Sequence, residues 1–193
     1  MRIAAALFAL SVAASFVEAQ QPAAPPTTAT VFRNRTGALR KQIVQALDSI
    51  PESKFSYKPT PAQLTVGFVA QHVASDSYFF CSNFSDKKPT VPDEEAKAPD
   101  SVKAAWPKAK LMASLRAAVA YCDDVMTSLD DTNIGAIITV AGQNNTTRQA
   151  SRMQYVLGHA LDLQDHYSQL ANYMRLNGIL PPTALPRPGR GGN

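Results

Sequence analysis

The segment 148–182 constrains the fold most, because it is a long helical pattern that carries two of the three histidines. On a helix that advances about 100° per residue, His159, Asp162 and His166 fall within one sector of about 60°. The rest of that stripe is apolar, with Tyr155, Leu163, Leu170 and Tyr173. Two imidazoles and a carboxylate on an otherwise apolar helix face indicate a metal site inside a helix bundle.

The chain length fits a single domain, because 193 residues with 45% apolar content can bury one core. Residues 1–19 combine an early arginine, a short apolar run and small residues, which is typical of a secretory signal peptide. The run is too short for a membrane anchor, so we expect no membrane span after signal cleavage. The sequence therefore predicts a protein that is exported, to the periplasm or as a secreted protein.

Further boundaries follow from composition. Residues 20–31 form a Pro-rich leader, residues 32–183 carry the helical patterns of the folded domain, and residues 184–193 form a Pro- and Gly-rich tail that is predicted to be disordered. The net charge is +4, and no basic stripe with interleaved aromatic residues is visible. We therefore expect no nucleic-acid partner.

The two cysteines, Cys81 and Cys122, each fall on a long predicted helix. An exported chain meets oxidising conditions, so a disulfide between them is favoured over two buried thiols. A role for either cysteine as a metal ligand is less favoured. His72 lies nine residues before Cys81, which places the two side chains on opposite sides of one helix.

Four helical patterns organise the domain. The first covers residues 32–50. The second begins near 60 or 65 and ends near 84, and the third begins near 101 or 107 and ends near 129. The fourth covers residues 146–177. The charged, Pro-rich stretch 86–100 between the second and third is long enough to run from one end of a bundle to the other. We therefore predict an all-α fold, a four-helix bundle with a long crossover between helices 2 and 3.

The sequence also makes predictions for the stretch before the fourth helix and for the two ends of that helix. The β-branched stretch 134–142 is interpreted as a packed loop, because a lone strand would have no partner in an all-α fold. The fourth helix is predicted to begin at a capping box formed by residues 146–149. Gly178 is suited to the left-handed position that ends this helix, and the following Pro181 and Pro182 prevent its continuation.

A family resemblance rests on three motifs. They are Asp165-His166-Tyr-x-Gln169-Leu, then Tyr173-x-Arg175-x-Asn177-Gly178-Ile-x-Pro181-Pro182, and the earlier Thr65-Val-Gly-x-x-x-x-His72. Over about residues 32–183 the chain resembles the DinB-like superfamily. The resemblance implies a four-helix bundle and a divalent metal ion held by one histidine of helix 2 and two residues four apart on helix 4.

Carried over by position, the implied metal ligands are His72, Asp162 and His166, with Zn, Ni, Mn or Fe as the ion. The resemblance would place histidine where this chain has Asp162. His159 is the alternative third ligand or a partner that orients a ligand. Asp76, one turn after His72, is suited to orient an imidazole or to act as a base. Asp76 and His159 are therefore the catalytic candidates.

Two functions are consistent with these residues. The first is a metal-dependent enzyme of hydrolase or transferase type, which acts on an unknown small-molecule substrate with a metal-activated water or thiol. The second is a non-catalytic exported bundle that binds a small molecule or a partner, and whose metal site has degenerated. Its pocket would be lined by aromatic residues, which are Phe79, Phe80, Phe84, Tyr155 and Tyr173. Both functions are compatible with a homodimer.

Overall fold

The structure, a computed structural model, describes residues 24–142, 144 and 146–186. The predicted signal peptide, the first part of the leader and most of the tail lie outside these residues. The described part is mostly helical, with a small β-hairpin. In chain order its elements are α1 (Thr28–Ser49), α2 (Val66–Cys81), α3 (Asp93–Lys97), α4 (Asp100–Lys103), α5 (Lys108–Met126), β1 (Ile137–Ala141), β2 (Thr147–Ser151) and α6 (Arg152–Leu176).

The four long helices α1, α2, α5 and α6 pack against one another. α2 lies against both α5 and α6, and α1 lies against both α6 and α5. α2 and α6 run antiparallel, because His72 near the start of α2 meets His166 late in α6, whereas Phe80 near the end of α2 meets His159 earlier in α6. The stripe that was recognised in the sequence therefore faces α2.

Side-chain caps determine where two of these helices begin. The Thr27 hydroxyl accepts a hydrogen bond from the backbone of Thr30, so α1 begins at Thr28, four residues before the predicted start. The Thr65 hydroxyl accepts from the backbone N–H of Phe68 at 3.1 Å, which selects the later of the two predicted starts for the second helix. Gly178 has φ of 71° just after α6, as expected for a left-handed helix end.

The β-hairpin corrects two predictions. The stretch 134–142 was predicted to be a loop, but residues 137–141 form β1 and pair antiparallel with β2, with Val140 opposite Arg148. The predicted helix start at 146–149 is also wrong, because residues 147–151 form β2, the strand partner. α6 begins only at Arg152, where Ser151 and Gln154 form the capping box. The fold is therefore not purely α-helical.

The segment between α2 and α5 carries two short helices, α3 and α4. The third long helix, α5, begins at Lys108, close to the later of its two predicted starts, 101 and 107. Lys103 of α4 is nearly buried, and its Nζ donates a hydrogen bond to Ser75 Oγ of α2 at 3.0 Å. This contact ties the connecting segment to the outer face of α2. In the described part of the chain, no helix has the length and apolar character needed to cross a membrane.

Candidate metal centre

Two helices bring four potential metal ligands together. His72 and Asp76 lie one turn apart on α2, and Asp162 and His166 lie one turn apart on α6. One nitrogen or oxygen atom from each side chain lies within 4.8 Å of each of the others. The antiparallel packing of α2 and α6 therefore brings both pairs to the same level.

Close contacts define the geometry of this cluster. His72 Nε2 lies 3.4 Å from Asp76 Oδ2, and His166 Nε2 lies 3.2 Å from Asp162 Oδ1. The two imidazole rings meet edge to face, with their centroids 4.9 Å apart. Each helix thus contributes one imidazole and one carboxylate, and the Nε2 atom of each ring is directed toward the carboxylate on its own helix.

Solvent exposure differs between the two sides of the cluster. The side chains of His72 and Asp76 are 32% and 27% exposed, whereas those of His166 and Asp162 are 9% and 17% exposed. The cluster is therefore closed on the α6 side and open on the α2 side.

The buried carboxylate of Asp162 is incompletely satisfied. Its Oδ2 atom is buried and, within the part of the chain that the structure describes, has no hydrogen-bond donor as partner. Burial of an ionised carboxylate oxygen without a donor is costly, so such an oxygen normally faces a proton or a cation. A cation would satisfy this oxygen, as would a proton shared with the neighbouring Asp76 carboxyl, whose side chain hydrogen-bonds that of Asp162.

A hydrogen-bonded chain fixes the orientation of the His166 ring. Gln169 Nε2 donates to Tyr173 Oη at 2.9 Å, and Tyr173 Oη donates to the backbone carbonyl of Leu64 at 3.0 Å. Gln169 Oε1 is then the acceptor for His166 Nδ1–H, 3.4 Å away. This arrangement leaves the lone pair of His166 on Nε2, the atom that faces the cluster.

Electrostatics shift two pKa values in the cluster. Burial raises the pKa of Asp76, although the His72 charge opposes this, and the nearby Asp162 carboxylate raises it further. Burial alone would lower the pKa of His166, but the hydrogen bond and the charge of Asp162 together outweigh it and raise the pKa. Both shifts favour the protonated forms of groups that bind a cation when deprotonated, so metal binding here would compete with proton binding.

The donor set suits a divalent transition metal. Imidazole nitrogen and carboxylate oxygen together are ligands for Zn²⁺, Fe²⁺, Mn²⁺ and Ni²⁺, and no thiolate is involved. The three residues implied by the resemblance, His72, Asp162 and His166, all lie in the cluster. Asp76, predicted as an orienting group or a base, lies beside them as a fourth potential ligand.

His159 lies away from this cluster. Its ring is fully buried, and its Nε2 is 3.8 Å and 3.9 Å from the sulfurs of Cys81 and Cys122, which form a disulfide. Burial, with the positive charge of Arg40, lowers the pKa of His159 to about 3. The structure therefore gives His159 neither the position of a third ligand nor the basicity of a catalytic base at neutral pH.

Arg40 was not recognised from the sequence. It is 2% exposed, its Nη1 lies 3.3 Å from His159 Nε2, and its Nη2 contacts Asp123 Oδ1 at 2.5 Å. Arg40, Cys81, Cys122 and His159 come from α1, α2, α5 and α6, so this buried polar cluster joins all four long helices. Arg40 lies one residue from Leu39 in an apolar helical stripe, and that neighbourhood is the only sequence signal for its burial.

The five aromatic residues suggested as a pocket lining separate into two groups. Phe79, Phe80 and Tyr155 line one depression with Arg148 and Gln154. Phe84 is buried against His159 in the core, and Tyr173 packs on Tyr57 at the opposite end of the molecule. Only the first three can therefore contribute to a common binding surface.

Comparison with known proteins identifies the family. The sequence model of the DinB superfamily matches residues 35–170 of this chain. A search of the curated proteins found no match.

Solved structures of other proteins share the fold, including the following two. A DinB-like protein from Bacillus cereus ATCC 10987 superposes with a TM-score of 0.60 at 16% identity, covering 78% of this chain and 93% of that one. A conserved protein from Enterococcus faecalis superposes with a TM-score of 0.59 at 15% identity, covering 79% and 98%. These identities support a common fold only. Since the family model spans most of the chain, and the predicted resemblance is thereby confirmed, the protein belongs to the DinB superfamily.

Proposed function

We propose that the protein is a divalent-metal-dependent enzyme of hydrolase or transferase type that acts on a small molecule. The observation that carries this proposal is the convergence of two imidazoles and two carboxylates within 4.8 Å, one of them with a buried and unsatisfied oxygen. His72, Asp162 and His166 would hold the ion. When bound, the ion would lower the pKa of a water or thiol and so supply a nucleophile near neutral pH.

Asp76 has the properties of a general base. Its side chain is partly exposed on the open side of the cluster, where it can reach a water or thiol. Its pKa is raised, mainly by burial and further by Asp162, which brings the carboxylate closer to the basicity needed for proton transfer near neutral pH. Asp76 would take the proton of the nucleophile, while His72 would remain bound to the ion.

Asp162 and His166 lie on the more buried side of the cluster, so their proposed role differs from that of Asp76. Gln169 and Tyr173 restrict the His166 ring to one orientation, so that only Nε2 is presented to the site. Asp162 provides the negative charge that makes this nearly closed side attractive to a cation. These residues would hold and orient, whereas His72 and Asp76 would face the substrate.

We also propose that the protein is exported and that its long helices form a four-helix bundle. The disulfide between Cys81 and Cys122 is consistent with an oxidising compartment, which supports export to the periplasm or secretion. Outside the cytosol a water nucleophile is easier to supply than a thiol. We also infer that α1, α2, α5 and α6 constitute a four-helix bundle in which the segment carrying α3 and α4 is the crossover.

The test is reconstitution of metal-free protein with Zn²⁺, Mn²⁺, Ni²⁺ or Fe²⁺, followed by assays against panels of ester, amide and thiol-transfer substrates. Asp76→Asn is expected to lower turnover by about 100-fold or more with the metal retained. The matched control is Asp86→Asn, because Asp86 is an exposed carboxylate outside the cluster, and it should retain activity. Turnover that is unaffected by Asp76→Asn would refute the assigned base.

A second candidate is the non-catalytic binding protein, which the exposed aromatic depression at Phe79 and Phe80 favours. It differs in one observable, because binding of a small molecule would then be independent of divalent metal and chelator. Absence of turnover with every reconstituted metal, together with chelator-resistant ligand binding, would favour this second function.

A further inference from the structure

We propose that the depression lined by Phe79, Phe80, Tyr155, Gln154 and Arg148 is a recognition subsite for a small organic acid that carries an aromatic ring. The inference rests on the proposed function to the extent that the acid is the substrate whose reacting group lies at the metal centre. The ring would lie on the phenylalanines and the acid group at Arg148.

Aromatic side chains form the apolar wall of this subsite. Phe79 is 58% exposed, an unusual position for a large apolar ring, and its centroid lies 5.2 Å from Phe80 and 6.0 Å from Tyr155. The depression has a volume of roughly 210 Å³. That volume suits one aromatic ring with a short substituent better than a whole drug-sized ligand. A planar ring gains both area burial and edge-to-face contacts there.

Arg148 provides the charged edge. It lies on β2, opposite Val140, and its Nη2 donates to Tyr155 Oη at 3.1 Å. No carboxylate forms an ion pair with it in residues 24–142, 144 and 146–186. The guanidinium therefore keeps donors for a ligand, and their planar arrangement matches a carboxylate. This charge complementarity selects an organic anion as the occupant.

Gly158 explains why the wall lies so close to α6. A Cβ atom built at Gly158 would lie 2.8 Å from Phe80 Cε1, so the missing side chain lets the Phe80 ring rest on the helix backbone. A larger residue at 158 would push the ring outward and fill the depression. The glycine thus maintains both the ring position and the open space beside it.

The subsite and the metal centre lie along the same pair of helices. Phe79 is three residues after Asp76 on α2, about 4.5 Å along the axis, and Tyr155 is seven residues before Asp162 on α6, about 10 Å along the axis. Since α2 and α6 are antiparallel, both distances run in the same direction from the cluster. A single small molecule can therefore place its ring at Phe79 and a reacting group at Asp76.

The test uses full-length protein with its disulfide intact, made metal-free with EDTA and labelled with ¹⁵N. 4-Phenylbutyrate is titrated and followed by amide chemical shifts, with the neutral 4-phenylbutanamide and the ring-free butyrate as matched probes. We expect saturable shifts at Phe79, Phe80, Arg148 and Tyr155 for 4-phenylbutyrate. Binding of each matched probe should be at least about fivefold weaker.

Variants then separate the ring contact from the charge contact. Arg148→Gln should weaken binding of 4-phenylbutyrate about tenfold and leave that of 4-phenylbutanamide unchanged, whereas Phe79→Ala should weaken binding of both. Leu176→Ala removes another exposed apolar side chain, and Lys41→Gln removes another exposed cation, so both serve as controls that should bind normally.

Zn²⁺ titration of the same samples distinguishes failure of this inference from failure of the proposed function. Normal Zn²⁺ binding by Phe79→Ala, with weakened binding of 4-phenylbutyrate, is the expected result. Shifts that are absent at these residues, or equal for the acid and the amide, would overturn the subsite even if Zn²⁺ binds. Light scattering that shows a dimer dispersed by Phe79→Ala would also overturn it, because a second copy would then cover the rings.

Discussion

His166 Nε2 lies 3.2 Å from Asp162 Oδ1, one helical turn away on α6. Gln169 accepts from the other ring nitrogen, so the lone pair of His166 and the carboxylate oxygen of Asp162 face each other. Two acceptors at that distance repel unless a positively charged species lies between them. The raised pKa of His166 shows that this position favours a proton, and we propose that a metal ion can take the same place.

Competition between proton and metal predicts a pH-dependent affinity. The pKa of His166 is raised above its ordinary value of 6.5, so the ring must lose a proton before it can bind metal. The apparent affinity for Zn²⁺ should therefore fall by up to about tenfold for each pH unit below that raised pKa. Calorimetric titrations in two buffers of different ionisation enthalpy should also detect proton release on binding. An affinity that is constant between pH 8 and pH 6 would contradict this prediction.

Burial of the neutral His159 ring should make the folded protein less stable at low pH. Its pKa is lowered from 6.5 to about 3 in the folded protein, so between these values the unfolded chain binds a proton that the folded protein does not. The free energy of unfolding should then decrease as pH falls from 6.5 toward 3, with this residue contributing up to about 1.4 kcal/mol per pH unit. Urea titrations of wild type and His159→Gln at pH 7 and pH 5 measure the difference. A wild-type loss no larger than that of His159→Gln would contradict the assignment.

The disulfide should stabilise the fold strongly. Cys81 and Cys122 are separated by 41 residues in sequence, and closing a loop of that length restricts the unfolded chain by about 4 kcal/mol in the entropic model. The double variant Cys81→Ser/Cys122→Ser should therefore have a much lower urea midpoint than the oxidised protein. Reducing agent should lower the midpoint of wild type and leave that of the double variant unchanged. Equal midpoints for reduced and oxidised wild type would show that the bond contributes little.

Gln169 should act on metal affinity through His166 alone. Gln169→Leu removes the acceptor that holds Nδ1–H, so the ring can change tautomer and orientation, and Zn²⁺ affinity should fall about 10-fold to 100-fold. Gln164→Leu is the matched control, because Gln164 lies on the same helix and, among the described residues, its side chain bonds only those of Arg35 and Ser168. The pH dependence of binding should also change in Gln169→Leu. Equal affinities for the two variants would remove Gln169 from the site.

Helix periodicity accounts for what the sequence predicted well. The stripe formed by His159, Asp162 and His166 follows from 3.6 residues per turn alone, and the caps at Thr65 and Gly178 are local signals. Local spacing also places His72 next to Asp76, and Asp162 next to His166. That these two pairs meet came from the family resemblance, because contacts between helices depend on packing that spacing does not encode.

The incorrect predictions concern features that depend on contacts between distant parts of the chain. Ile137–Ala141 carries a strong strand composition, but its partner Thr147–Ser151 is polar and was assigned to a helix, so neither strand was predicted. His159 belongs to the stripe by angle, yet it lies one turn too early along α6 and meets the disulfide instead of the cluster. Arg40 was missed because charged side chains are normally exposed. Its burial depends on contacts with His159 and Asp123, which lie on other helices.

Metal content of protein purified without a histidine tag provides the most direct test of the metal centre. Inductively coupled plasma mass spectrometry should find about one equivalent of Zn, Ni, Mn or Fe per chain in wild type and in the control Asp86→Asn. His72→Ala should lose it while remaining folded by circular dichroism. Wild-type protein that contains no metal, and that takes up none of these four ions on titration, would contradict the metal centre at His72, Asp162 and His166.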